Sequence, residues 1–406
     1  MKQSCSTSAF FTSTIISAVL LSGACNTAPQ EGKKGTADNA VHIPVSNDDP
    51  SKFAEIDSLI ESCEVIPLET TDQSLFGSIN ALYAIDDRII IFDKYNSKSI
   101  LIFTKDGKYV NRISPAGQGP GEFSSILRCT ADENGIEVFD AGLSKILRYS
   151  TDGAYKTEFR LKPFYKTAFA KYGPEKYLFY NAGEPVINGA GYKLIAWDVE
   201  KNQRESLFFP FDKRLAKCKA YIDEQHFVQS DNNTTFFELF NDTIYSFNHS
   251  NLTVSPRYII DFKRRKLPPA FVNNHKILDK LKEANNNVHA IFTGRLMELS
   301  NYLFFKYNYR QSERSFIWDK IHNKAMANTH MIGLGGMDIP ILNWYKGFQE
   351  NQLVVKMESY ELLEWLSEKK RTGADLSSNP LVKIAETLKA DHNPVLIFLN
   401  LKKNKI

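Results

Sequence analysis

Apolar and polar residues along this chain fall into short runs with strand spacing, and the clearest runs recur as a unit. Arg88-Ile89-Ile90-Ile91-Phe92-Asp93 is followed by Ser99-Ile100-Leu101-Ile102-Phe103 and then by Lys105-Asp106-Gly107-Lys108-Tyr109. The same order returns as Gly135-Ile136-Glu137-Val138-Phe139-Asp140, Lys145-Ile146-Leu147-Arg148-Tyr149 and Thr151-Asp152-Gly153-Ala154-Tyr155. The two Asp-Gly dipeptides lie 46 residues apart, a period in the range of propeller blades that each hold four strands. Asp-Gly between two strand-like runs supplies the positive φ of a tight hairpin. One such unit cannot bury its own apolar face, so the repeat predicts a closed ring of sheets.

Strand patterning continues through about six units. The first two run from about Gly77 to Ser114 and from Ile126 to Leu161, and a third from Lys166 to Phe211. The fourth holds Phe227-Val228, Thr235 to Leu239 and Arg257 to Asp261; the fifth holds Tyr302 to Tyr307 and Ser315 to Trp318; the sixth begins around Trp344 and contains Gln352 to Lys356. Apolar residues at helical spacing interrupt this order between Pro269 and Asn287 and between Glu358 and Ala390, which predicts helical insertions at one mouth of the ring, covering sheet edges or shaping a ligand site. Cys63 to Leu68 is an isolated strand before the first complete unit, and Pro394 to Leu401 is an apolar strand at the end. Pairing them would complete the last blade and remove an exposed edge. The expected fold is therefore all-β: a six-bladed β-propeller with short helical insertions, closed by N- and C-terminal strands in one blade.

The amino terminus is organised differently. Lys2 precedes an apolar run from Ala9 to Leu21 that ends in Leu21-Ser22-Gly23-Ala24-Cys25. The run is too short for a mature bilayer span and its small-residue end suits signal cleavage. A cysteine directly after small residues resembles the lipobox of bacterial lipoproteins, which implies acylation of Cys25. From Asn26 to about Pro50 the chain is polar, with too few apolar residues to pack. The expected division is a signal peptide over 1–24, a flexible tether over 25–50 and the propeller over 51–406.

Composition supports a folded body and narrows its partners. The chain is 43% hydrophobic and 12% aromatic, with 28 Phe and 18 Tyr, side chains that fill pleated surfaces. Fifty basic against 47 acidic residues leave a net charge of +3, which provides no global field for a polyanion and argues against nucleic acid as partner. The run Lys263-Arg264-Arg265-Lys266 reads as a solvated loop. Of five cysteines, Cys63, Cys129 and Cys218 match no zinc spacing and imply buried thiols rather than a disulfide framework.

Several of these segments together resemble a known group. Cys63-Glu64-Val65-Ile66-Pro67-Leu68-Glu69-Thr70, Asp106-Gly107, Gly117-Gln118-Gly119-Pro120-Gly121-Glu122-Phe123, Asn241-Asp242-Thr243-Ile244-Tyr245 and Asn393-Pro394-Val395-Leu396 are similar to the six-bladed β-propeller lipoproteins of Bacteroidetes, with an NHL-like Gly-x-Gly-Pro-Gly-x-Phe segment. The resemblance implies the fold, export, a bacterial source and lipid anchoring in the cell envelope, at the outer membrane. It transfers no reaction.

Candidate chemistry is sparse. Three glycines and a proline in Gly117 to Phe123 make a rigid crossover loop whose amides could hold an anion, with Gln118 and Glu122 as candidate ligand-binding residues; alternatively the glycines only permit the crossover and Phe123 anchors the next blade. No following Lys and helix make it a phosphate loop. The eight histidines show no close metal pair, so no metal site is assigned and the cofactor is left open. Asp93 and Asp140 end equivalent strands, where turns favour Asp. Two functions follow. The first is an envelope-tethered binding or interaction module for a protein, peptide or glycan; the alternative is an extracytoplasmic lyase or hydrolase with its site in the axial funnel, marked by acids and histidines from at least three blades at one mouth.

Overall fold

A computed structural model of the chain describes residues 30–36, 39–45, 56–114, 116–161, 168–181, 191–211, 226–230, 232–238, 241–268, 289–327, 331–334, 337–340, 343–373, 376 and 379–403. The signal segment, Cys25, Cys218 and the helical pattern between Pro269 and Asn287 lie outside the described residues.

Six four-stranded antiparallel meanders form the body. Blade 1 is Ala81–Ile85, Arg88–Asp93, Ser99–Thr104 and Tyr109–Ile113. Blade 2 is Ile126–Asp132, Gly135–Asp140, Lys145–Tyr149 and Tyr155–Arg160. Blade 3 is Ala168–Gly173, Lys176–Tyr180, Tyr192–Asp198 and Gln203–Pro210, and blade 4 is Phe227–Ser230, Asn233–Phe237, Thr243–Asn248 and Thr253–Asp261. Blade 5 is Ala290–Glu298, Tyr302–Tyr309, Ser312–Asp319 and Lys324–Ala327. Blade 6 joins Trp344–Lys346, Gln352–Met357 and the C-terminal Val395–Leu401 to Ile60–Pro67 from the other end of the chain. In that closure Leu396 faces Ile66 and Ile397 faces Val65, the pairing expected from the two terminal strands.

The apolar runs of the second and third strands are continuous rather than alternating because both faces are buried between blades. Ile89 and Ile91 pack with Val354, Leu396 and Phe398 of blade 6, whereas Ile90 and Phe92 pack with Ile136 and Val138 of blade 2. Each of the six blade interfaces has such a cluster. The repeated Asp-Gly turns match closely: Gly107 and Gly153 both have φ of +86°, and each donates its N–H to the residue three back at 2.9 Å, Thr104 and Ser150 respectively.

Two segments differ from expectation. The segment read as a tether pairs with the ring over part of its length: Gln30–Glu31 adds parallel to the outer strand of blade 3, and Val41–Pro44 adds parallel to that of blade 4. It forms a strap because Ile43 and Val45 are fully buried in the blade 4–5 core. The basic run is not wholly solvated, since Arg265 is buried and its guanidinium donates to the Val45 carbonyl. The helical pattern expected after Glu358 forms α1 (Ser359–Arg371) and α2 (Pro380–Ala385), inserted between two strands of blade 6, where Leu362, Leu366, Leu381 and Ala385 pack on Val395, Ile397 and Leu399 of its sheet.

Candidate functional site

Every blade is an antiparallel meander, in chain order in blades 1 to 5 and completed by Ile60–Pro67 in blade 6, so the six first strands run in one direction around the axis and touch their neighbours all the way round, blade 6 against blade 1 included. The turns from first to second strand therefore gather at one mouth. Between these strands lies a cavity of about 1090 Å³, to which all six blades contribute lining residues. Aromatic and charged groups share its wall, Trp344, Tyr345, Tyr172 and Phe348 among the former.

Most of the charge near blades 2 to 4 is internally paired. Arg148 reaches Glu137 at 2.9 Å through Nε, Glu175 at 2.7 Å through Nη1, and the Tyr177 hydroxyl at 2.6 Å through Nη2. The Tyr177 hydroxyl in turn donates to Glu137 at 2.8 Å. Burial works against the Arg148 charge, but Glu175, Tyr177 and Glu137 outweigh it and hold the guanidinium above its ordinary pKa. Lys171 stands 3.3 Å from Glu137 and 3.8 Å from Asp132. His249 is hydrogen-bonded through Nε2 to the Thr234 hydroxyl at 2.9 Å. Tyr83 donates to the Cys129 carbonyl at 2.7 Å, and burial raises its phenol far above the ordinary value.

Blade 5 brings a cation to the axis by a different device. From Phe292 to Met297 its first strand advances five positions while the partner moves three, from Tyr307 to Phe304. The two extra residues make a bulge, a feature that re-aims side chains. Within it Gly294 has φ of +96° and Arg295 has φ of +46°. A Cβ on Gly294 would lie 2.3 Å from Phe237 Cζ, so glycine is required where blade 4 presses on the bulge. A left-handed conformation at a non-glycine residue costs about 1–2 kcal/mol, which the packing of Phe292 and Leu296 on either side sustains. Arg295, half-buried, lines the axial cavity.

The sequence candidates occupy other places. Gln118 and Glu122 sit in the crossover from blade 1 to blade 2 and are not among the cavity-lining residues. The Glu122 carboxylate turns back to accept the Gly119 N–H at 2.9 Å, and a Cβ on Gly117 would lie 2.0 Å from it. Buried Lys145 ties the loop down through the Gly119 carbonyl at 3.2 Å and Glu158 at 2.9 Å. Asp93 accepts from Gly77 and Ser97 N–H and the Ser78 hydroxyl, and Asp140 from Ser124 and Leu143 N–H; both tie a hairpin to the segment entering their blade. Cys63 and Cys129 are thiols outside any disulfide. Among the described residues no three His, Cys, Asp or Glu side chains assemble as a metal-ligand group. Arg295 went unrecognised in the sequence because the bulge disrupts alternation; the one available signal was Gly294 beside a run of strand formers.

The sequence profile of a domain of unknown function, DUF4934, matches residues 39–400. A protein of Bacteroides fragilis provisionally named as exported has a solved structure similar to this chain, with a TM-score of 0.70, 18% identity, and coverage of 90% of this chain and 100% of that one. A Bacteroides vulgatus member of the DUF4221 family matches at a TM-score of 0.49 and 12% identity, covering 85% of this chain and 98% of its own. At these identities the likeness is one of fold. No curated protein matches the sequence.

Proposed function

Starting from a chain that belongs to the DUF4934 family, whose description assigns no activity, we propose that it is an exported binding module whose ligand enters the axial cavity. The observation that carries this reading is a single cavity of about 1090 Å³ walled by all six first strands, large enough for a ligand of several residues. Its mixed wall of aromatic and charged groups suits a peptide, a glycan or a protruding segment of an envelope protein. Pairing of Arg148 with Glu137 and Glu175 favours binding over acid–base chemistry, because these groups are committed to one another.

The proposal includes anchoring through an acylated Cys25. Four residues, 26–29, separate it from the strap strand on blade 3, so lipid at that cysteine would keep blade 3 within about 20 Å of the bilayer surface. The test uses the full chain in detergent on peptide and glycan arrays beside Gln229→Trp. Gln229 is exposed and lines the cavity, its amide between the Lys171 carbonyl and the Thr130 hydroxyl, so an indole there takes up cavity space without displacing core. Array binding that falls at least tenfold in the variant supports the reading. Binding that survives unchanged, blank arrays, or turnover of an arrayed glycan would overturn it.

A further inference from the structure

Charge around the mouth is unevenly distributed, and the unevenness follows the ring. Blades 1 and 2 contribute Asp86, Asp132 and Glu133 at their first turns, with Asp86 and Glu133 exposed. Blades 5 and 6 contribute Arg295 and the exposed Lys346, together with Glu298, which Arg257 and Lys320 already answer, and Lys356, which pairs with Glu358. In a six-membered ring blade 2 stands opposite blade 5, so the Asp132-Glu133 turn and Arg295 belong to opposite walls of one cavity. Where blade 2 meets blade 3 the charge is internally compensated, since Arg148 and Lys171 answer Glu137, Glu175 and Asp132.

A strained backbone needs a reason. The blade 5 bulge spends two extra residues and a left-handed arginine to set Arg295 on the axial wall, with Gly294 fixed by the approach of Phe237. Such strain persists where surrounding structure holds it, and it gathers at ligand clamps. A guanidinium fork recognises a carboxylate through two parallel N–H donors, and carboxylates on the far wall favour an ammonium.

We propose that Arg295 is the carboxylate anchor of the axial site and that the ligand is a short zwitterionic peptide, its C-terminal carboxylate on Arg295 and its ammonium toward the exposed Glu133. This rests on the reading of the cavity as a binding site. Aromatic neighbours such as Trp344 and Tyr345 would take the intervening apolar side chains.

The experiment presents a library of free hexapeptides to the full chain, with N-acetylated and C-amidated libraries in parallel, and recovers bound species by mass spectrometry. Peptides retained with free termini should lose at least tenfold on C-amidation and several-fold on N-acetylation. Arg295→Gln should bind free and amidated peptides equally weakly, and Arg295→Lys should recover part of the preference. Because the amidation comparison needs only the native protein, it stands even where Arg295→Gln does not fold. Amidated peptides bound as tightly as free ones would overturn the assignment to Arg295 while leaving the cavity as the site, provided Gln229→Trp abolishes that binding. Retention that Gln229→Trp leaves untouched would remove the cavity reading itself.

Discussion

Asp93 and Asp242 are both buried beside a hairpin, yet they affect stability with opposite sign. Burial alone would raise the Asp93 carboxyl, but N–H groups of Gly77, Ser97 and Asn96 and the Ser78 hydroxyl outweigh it and hold the group below its ordinary value. Its contribution is present above the unfolded carboxyl pKa and is lost as pH falls through the folded value. For Asp242 burial prevails, and the partly compensating Lys266, 3.7 Å away on an exposed side chain, leaves its pKa pushed up to about 6. Between about pH 4 and 6 the folded chain then holds more protons than the unfolded one, so stability declines across that window and stays lower above it. Asp242→Asn should therefore be more stable than the native chain at pH 7.5 by about 1–3 kcal/mol, and the gain should vanish by pH 4. Urea denaturation at four pH values checks this; a gain that does not vary with pH would show that Asp242 is not the group responsible.

Two hairpins with the same turn provide a matched comparison at the level of elements. A Cβ on Gly107 would lie 2.4 Å from the Pro67 carbonyl oxygen, whereas one on Gly153 would lie 2.8 Å from the Asn111 side-chain amide. Both substitutions to Ala incur the left-handed penalty of about 1–2 kcal/mol, but a side chain can swing aside and a closing strand cannot. Gly107→Ala should thus cost a further 1–3 kcal/mol or so over Gly153→Ala, read as the difference between their denaturation midpoints; equal losses would mean that blade 6 yields at Pro67. These hairpins were legible because a tight turn and two doubly buried strands each leave a strong local signature. The terminal strands were legible for the same reason, as an apolar run buried on both faces. The first strand of blade 5 was not, since Gly294, Arg295 and Glu298 break its alternation, and neither was the strap, where Ile43 and Val45 enter the core amid polar neighbours. The axial site was hidden by the same physics. Side chains that line a cavity are not fixed by packing on a neighbouring sheet, so they show no period, and the six short segments that meet there are far apart in sequence. The glycine-rich crossover drew attention because its composition is unusual, yet its glycines make room for Glu122 within the loop and for Tyr155 on the outer strand of blade 2.

Across the whole molecule, closure and covering are separate tasks assigned to the two ends of the chain. Val395 to Leu399 and Leu401 are all essentially inaccessible to solvent, and they serve two blade interfaces at once, toward blade 5 and toward blade 1. At about 1.5–3 kcal/mol for each large apolar side chain buried, these six residues account for roughly 9–18 kcal/mol, as much as the entire net stability of a typical domain, about 5–15 kcal/mol. Removing residues 395–406 also exposes the facing edges of Gln352–Met357 and Ile60–Pro67, opening the ring. The strap stakes less: Ile43 and Val45 are its deeply buried apolar residues, and its pairing lies on outer strands that every blade of an open-edged ring leaves exposed. Deleting 395–406 should abolish the cooperative melting transition, whereas deleting 30–45 should leave a cooperative transition at lower temperature. Calorimetry of both chains distinguishes the roles, and a native-like transition in the C-terminal deletion would mean that the ring holds without its closing strand.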